Sequence, residues 1–337
     1  MKVLIVGATG ALGVPLVQKL IAGGHEVLGV TRTQNNARSL TDVGAHPIIA
    51  DVMDRDGLLA AVDGLRADAV VHALTALKKT PMRHRDMART DALRDAGMAN
   101  LLAAARVIGA RRAVVESMHV GYGYGDWGTQ VLTEETAFAP RGRTRRLERH
   151  LAGFRALEGQ LFEATRDGWI EGVSLRFGAF YGPDAGMRSL IDLLHRRRLP
   201  LVDGGGAVLS WIHHEDAATA MVAALERGRP GETYNVVDDE PVAWRDFLGL
   251  LATTAGAPKP RSMPRWLIAL AGPYAAAFIT TTLRASNAKA KRELGWAPSI
   301  PTYREGIPRV IQALQADPSN TAASSTVESS LAIRRAG

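Results

Sequence analysis

An α/β fold built on a Rossmann-like, doubly wound parallel sheet is what this chain of 337 residues predicts, and three observations carry the prediction. The glycine-rich turn GATGALG (7–13) joins an apolar run to a helix-like one. Strand-like and helix-like stretches then alternate at the period of repeated βαβ units. The strand-like runs are apolar almost throughout, as strands must be when helices cover both faces of a sheet.

In chain order, KVLIVGA reads as the first strand, GVPLVQKLIAGG as its helix and HEVLGVTR as the second strand. HPIIADV and DAVVHAL are the next strands, separated by the helix-like DGLLAAVDG. NLLAAARVIG, RRAVVES, a long helix over 147–165 and the strand EGVSLRF continue the rhythm. Beyond 180 it loosens into proline- and glycine-rich segments such as YGPDAG and VDGGGA. Residues 1–180 are therefore expected to form mainly the dinucleotide-binding domain. Residues 181–318 are expected to form mainly a smaller C-terminal substrate lobe interleaved with it, and the small, polar, aperiodic 319–337 a mobile tail.

Composition narrows the function classes. There is no cysteine, which removes disulfides, thiolate nucleophiles and cysteine-ligated metals together; no metal is expected, and a cytoplasmic location fits. The formal net charge of +7 favours a phosphate-bearing ligand by general attraction. The arginine-rich 141–150 carries no zinc-finger or helix-turn-helix spacing, so nucleic acid is not expected as a partner. The uncharged run 266–283 is interrupted by Gly272 and Pro273 and reads as a two-part apolar helix or lid, not a membrane span.

The glycine turn has a physical reading. Gly7 suits a tight turn needing positive φ, Gly10 lets backbone approach a pyrophosphate, and Gly13 permits close helix–strand packing. Thr9, Ala11 and Leu12 complete a loop whose N–H groups and helix dipole face the phosphates. The second strand ends without an acid, in GVTRTQNNAR, where an acid would bind the adenosine ribose and repel a 2′-phosphate. Arg32 and Arg38 stand there instead, and guanidinium forks match phosphate, so NADPH is expected, with NADH possible. Asp51, followed by Val52, ends the third strand, where its carboxylate can accept from the adenine amino group.

Together GATGALG, ADVMD, VVHALTA, SMHVGYG, SLRFGAFYGP, WIHHEDAATAMVAAL, GETYNVVDD and KRELGWAP resemble the extended short-chain dehydrogenase/reductase family, which includes nucleotide-sugar epimerases and dehydratases. The resemblance implies a Rossmann-like cofactor domain and a smaller substrate lobe. It assigns Ala73 and Leu74 to the cofactor ribose, and Phe177, Gly178 and Ala179 to the nicotinamide end. The family's catalytic signature is a Ser or Thr before a Tyr-Gly pair, then Tyr-x-x-x-Lys. Here the corresponding positions hold Met118, His150 and Phe154, and no tyrosine lies between Tyr124 and Tyr181. The standard tyrosine is missing.

Hydride transfer chiefly needs a held electrophile and stabilisation of the charge that develops on it. Ser117, His119, Tyr122 and His150 remain as candidate donors. The arginines before His150 favour its neutral ring, so it is expected to orient a substrate oxygen without being the principal acid. The missing tyrosine, the NADPH expectation and the apolar lid resemble atypical ketoreductases of aromatic polyketide tailoring, such as those acting on angucyclinones. The leading expectation is an NADPH-dependent ketoreductase of a bulky aromatic polyketide ketone, a monomer or homodimer. A sensor or scaffold that binds NADPH without turnover, and a nucleotide-sugar epimerase or dehydratase, are the alternatives.

Overall fold

Seven apolar segments pair into one sheet: β1 (Lys2–Val6), β2 (Glu26–Thr31), β3 (His46–Ile49), β4 (Ala69–His72), β5 (Arg112–Met118), β6 (Glu171–Phe177) and β7 (Thr233–Val236). The computed structural model describes residues 1–77, 80–142 and 146–316. The tail expected over 319–337, and residues 143–145 of the arginine-rich run, lie outside the described residues. The sheet is wholly parallel in the order β7-β6-β5-β4-β1-β2-β3. The winding direction reverses between β1 and β4, which places a ligand crevice at the carboxyl ends of those strands.

Side-chain alternation explains why the strands lack a polar face. Val3 and Ile5 of β1 pack into a core with Leu16 and Leu20 of α1 (Gly13–Ala22). Leu4 and Val6 point the other way, into a core with Leu157 and Leu161 of the long helix α2 (Glu148–Arg166). Both sheet faces are thus covered by helices, and all four strand residues are buried. In α2, Leu151, Phe154, Leu157 and Leu161 recur at helical spacing. Its amino-terminal half belongs to a separate apolar cluster with Met87, Tyr124 and Tyr274, so one helix spans both the sheet face and that cluster.

The later chain contributes to both bodies. Helix α3 (His214–Arg227) packs against α1, and β7 extends the main sheet beside β6. Conversely, the segment Asp126–Leu132 pairs with Thr282–Ala285 in a small sheet completed by Val208–Leu209 and Val242–Ala243. The core of this lobe is aromatic: the Trp211 and Phe247 rings stack with centroids 3.8 Å apart.

A buried polar network joins the elements. Arg176 of β6 donates from Nε and Nη2 to the two carboxylate oxygens of Glu158 in α2, at 3.0 and 2.7 Å. Its Nη1 donates to the Tyr122 hydroxyl at 3.1 Å, which donates in turn to Asn235 Oδ1 of β7 at 2.8 Å. Because both charges are buried, removing one partner strands the other. Glu158→Ala is expected to destabilise the fold by ~3–5 kcal/mol in urea unfolding, and Glu158→Leu with Arg176→Met to recover most of that. An unchanged urea midpoint in the single variant would remove the pair from the account of stability.

Candidate active site

The glycine turn sits at the carboxyl end of β1, where it touches the end of β4. Gly7 has φ +95°, and a Cβ there would stand 1.9 Å from the Ala73 carbonyl oxygen. A Cβ at Gly13 would stand 2.0 Å from Gly7 O, whereas Gly10 closes the turn by donating its N–H to Gly7 O at 2.9 Å. The loop 7–13, Ala73 and Leu74 therefore form one backbone cradle; Thr9 Oγ1 accepts from Asn36 Nδ2 at 3.4 Å at its edge.

Arg32 is exposed just beyond β2, and Arg38 is exposed on the next helix, Gln34–Asp42. Arg32 Nη1 lies 3.7 Å from Asp51 Oδ2, a surface pair of little energetic weight that leaves the guanidinium available. Asp51 caps its own turn, accepting the Met53 N–H at 3.0 Å, and buried Val52 accepts Asn100 Nδ2 through its carbonyl at 2.8 Å. At the end of β6, Phe177 is buried and Ala179 donates its N–H to Ser210 O at 2.9 Å. A Cβ at Gly178 would meet Ser210 O at 2.8 Å, so glycine lets the loop cross the 210–211 backbone.

The four candidate donors do not form one set. Ser117 is fully buried near the end of β5, and its Oγ has no partner among the described residues. His119 is equally buried; burial pushes its imidazole down to about 3, with the Phe177 backbone opposing the shift, and neither ring nitrogen makes a hydrogen bond of normal geometry. Tyr122, expected as a candidate donor, has its phenol engaged within the fold. Its hydroxyl is held between Arg176 and Asn235, and its ring lies edge-on to Phe138 at 5.4 Å. His150 sits in a separate hydrogen-bonded chain of ionisable groups, which ends at a half-exposed ring.

That chain was not visible in the sequence. His150 Nδ1 donates to Asp91 Oδ2 at 2.7 Å, and its Nε2 lies 3.0 Å from His84 Nδ1. The two imidazoles are nearly coplanar and lie end to end, with centroids 5.3 Å apart and planes 11° apart. Asp91 and His150 are buried, whereas His84 is half-exposed. The positive field expected around His150 is therefore answered locally by a carboxylate. Arg94 joins the chain from a single π turn at Leu93–Gly97, a distortion frequent at functional sites. Its guanidinium lies 3.4 Å from Asp91 Oδ1 and 3.9 Å above the Phe154 ring, so a cation covers the position from which lysine is missing.

The rest of the surround is aromatic. Tyr274 is edge-on to both imidazoles, at 5.1 Å from His150 and 5.9 Å from His84, and its hydroxyl shares a hydrogen bond with Tyr124 at 3.1 Å. Burial pushes both phenols above their ordinary range. Tyr274 arrives on α5 (Pro273–Ile279), which follows α4 (Arg265–Ala271) after a break at Gly272, so the run 266–283 contains two short helices. The N–H groups of Tyr274 and Ala275 donate to Met82 O, pinning α5 to the loop that carries His84. On α4, Trp266 and Leu270 are 62% and 77% exposed, leaving an apolar face uncovered beside that loop. Glu116 of β5 is a further group the sequence reading missed; burial pushes its carboxyl up to about 7, with Arg94 opposing.

No helix among the described residues is long and apolar enough to cross a membrane. Known proteins place this geometry. Residues 3–237 match the NAD dependent epimerase/dehydratase family. A 3-diazoavenalumate denitrifying reductase of a Streptomyces species is 37% identical over 322 residues, covering 92% of this chain and 100% of the relative. A 4-hydroxy-2-methyl-3-oxo-4-farnesyl-3,4-dihydroquinoline-1-oxide ketoreductase of Stigmatella aurantiaca is 29% identical over 339 residues, covering 93% and 96%. In fold, the chain is similar to a Thermus thermophilus UDP-glucose 4-epimerase solved in complex with NAD, with TM-score 0.75, 24% identity and coverage of 94% and 99%. With the parallel sheet and the glycine cradle, these matches establish that the chain belongs to the NAD dependent epimerase/dehydratase family and is a Rossmann-fold, NAD(P)-binding enzyme.

Proposed function

We propose that this enzyme is a reductase of a planar, conjugated aromatic molecule whose electrophilic centre is a diazo group or a ketone. The observation that carries the reading is the Asp91–His150–His84 chain, buried at Asp91 and His150, with Phe154 beside it, in place of the family's Tyr/Lys pair. Epimerases and dehydratases must take protons from carbon or hydroxyl and return them, a task that suffers most when Tyr and Lys are lost. A reductase needs only a held electrophile and a proton for the oxygen that gains charge. The diazo-processing relative and the ketone-processing relative both supply such a substrate, and both match nearly the whole chain.

The residues fit a dinucleotide. The space that a Cβ would fill at Gly7 and Gly13 is the space through which a pyrophosphate approaches backbone N–H groups. Loop 7–13 would hold the pyrophosphate, Ala73 and Leu74 the ribose, and 177–179 the nicotinamide end, while Asp51 and Val52 flank the adenine. When bound and reduced, the nicotinamide supplies hydride. Arg32 and Arg38, at a strand end without an acid, favour a 2′-phosphate and hence NADPH. Ser117, buried without a partner, supplies a hydroxyl donor near the end of β5. The exposed apolar face of α4 would close over the rings of the substrate.

The nucleotide-sugar reading is the second one, favoured by the family match and by the likeness in fold to a UDP-glucose 4-epimerase. Deuterium transfer separates the two. With NADPH deuterated at C4, a ring-diazo hydroxyarene should yield N₂ and a product carrying one deuterium at the former diazo carbon, and an aryl ketone a deuterated alcohol. Turnover of UDP-glucose or dTDP-glucose, with no deuterium in either aromatic product, would overturn the reductase reading. Cofactor choice has its own test by fluorescence titration. The parent should bind NADPH at least about tenfold more tightly than NADH, ~1.4 kcal/mol, and Arg32→Glu should erase most of the difference. Equal affinities in the parent would remove the arginine assignment.

A further inference from the structure

We infer that His84, positioned through His150 by Asp91, is the proton donor to the substrate oxygen, so that a three-residue chain replaces the catalytic tyrosine. The inference rests on the reductase reading and names the acid that reading requires. Reach is the first argument. An imidazole at position 150 is shorter than a phenol, and His150 is fully buried, so it cannot itself present a proton to a ligand. His84 lies end to end with it, nearly coplanar, and continues the hydrogen-bond line by another ring. His84 is half-exposed, and among the described residues its Nε2 has no hydrogen-bond partner. The chain thus runs from a buried carboxylate to an accessible ring nitrogen.

The proton inventory closes. In the loaded state His150 carries both protons, with Nδ1–H on Asp91 and Nε2–H on His84 Nδ1, and His84 presents Nε2–H. As hydride reaches the electrophile, the substrate oxygen takes the His84 Nε2 proton, and the His150 Nε2 proton moves to His84 Nδ1. A ketone becomes an alcohol; a quinoid diazo compound becomes a phenol with loss of N₂. In each case the substrate gains one hydride and one proton, and solvent reprotonates His84. Asp91 keeps its charge and holds His150 in one tautomer.

Charge around the chain sets its pH response. Asp91 and Arg94 face His150 from the Ala88–Gly97 segment, Arg146 acts on His84 from the turn before α2, and Tyr274 and Tyr124 enclose the rings. Glu116 lies within the field of Arg94. Burial, then His150 and Arg146, hold the His84 imidazole below its ordinary range. The loaded form is the cationic one, so the rate should fall as pH rises. Removing the Asp91 charge makes the cation harder to form and should move the limb to lower pH.

Two measurements test this. In single-turnover deuteride transfer by the NADPH-loaded enzyme, the rate should rise toward acid pH. His84→Ala should lose about 100-fold or more, within the range for removing a general acid, with NADPH affinity unchanged and partial rescue by added imidazole. Asp91→Asn should shift the limb downward. A His84→Ala enzyme with the parent's rate and pH profile would overturn the proton chain while leaving hydride transfer in place. The second measurement needs no turnover: ¹⁵N-histidine NMR of the full chain with NADP⁺ bound. His84 should titrate below its ordinary range in the parent, and Asp91→Asn should lower that titration further. A His84 titration unaffected by Asp91→Asn would overturn the chain even if the parent reduced none of the aromatic probes, an outcome that by itself would count against the reductase reading.

Discussion

The 2.7 Å hydrogen bond between His150 and Asp91 is the contact on which the proposed chemistry depends, because it ties one end of the imidazole to a buried carboxylate. It ties the amino-terminal half of α2 to the helical segment Ala88–Gly97. The carboxylate is buried, which is costly for an isolated ion, and its two oxygens are answered by two different cations or donors. His150 takes one oxygen and Arg94 approaches the other. The same guanidinium rests on Phe154, so the residue in the lysine's place contributes a π face where the lysine would contribute a charge.

This arrangement is held by the rest of the fold at the carboxyl edge of the sheet. Lower on α2, Leu157 and Leu161 lock the helix to the sheet, and Glu158 binds Arg176 of β6. The network continues through Tyr122 to Asn235, which places the Tyr122 phenol in the joint between sheet and lobe. The lobe contributes Tyr274, which closes the histidine pair from above and is pinned by backbone bonds to the Met82 carbonyl. A helix, a loop and a segment 124 positions further along than His150 thus meet at one buried point.

What was legible in the sequence was local. Gly7 and Gly13 announce a backbone cradle because glycine is the residue that survives a left-handed φ and a carbonyl at 2 Å. The strands are legible because their runs are mostly apolar, as in β1, where residues of both faces are buried, and this is a property of consecutive residues. Gly272 and Pro273 likewise marked the break between α4 and α5. The histidine chain had no local mark. Asp91 lies 59 positions before His150 and His84 lies 66 before it, and neither sits in a motif with a spacing of its own. Arg94 reads as an ordinary helix arginine until the π turn brings it over Phe154. The arginines before His150 are near it in sequence, whereas the carboxylate in contact with it comes from 59 positions away.

The exchange of Tyr/Lys for His/Phe is coherent as physical chemistry. A phenol gives up a proton readily only beside a cation that stabilises the phenolate; without one, burial raises its pKa. Tyr124 and Tyr274 display that effect in the same cluster, where both phenols are pushed upward. A tyrosine at 150 with phenylalanine at 154 would share their environment and hold its proton too tightly to be a useful acid. An imidazole carries its labile proton as a positive charge, so the partner it needs is a carboxylate, and Asp91 is in contact with it. Loss of the lysine and loss of the tyrosine are in this sense one change: the Arg94 cation over Phe154 is paired with Asp91, and the acid at 150 is of the charge type that this carboxylate supports.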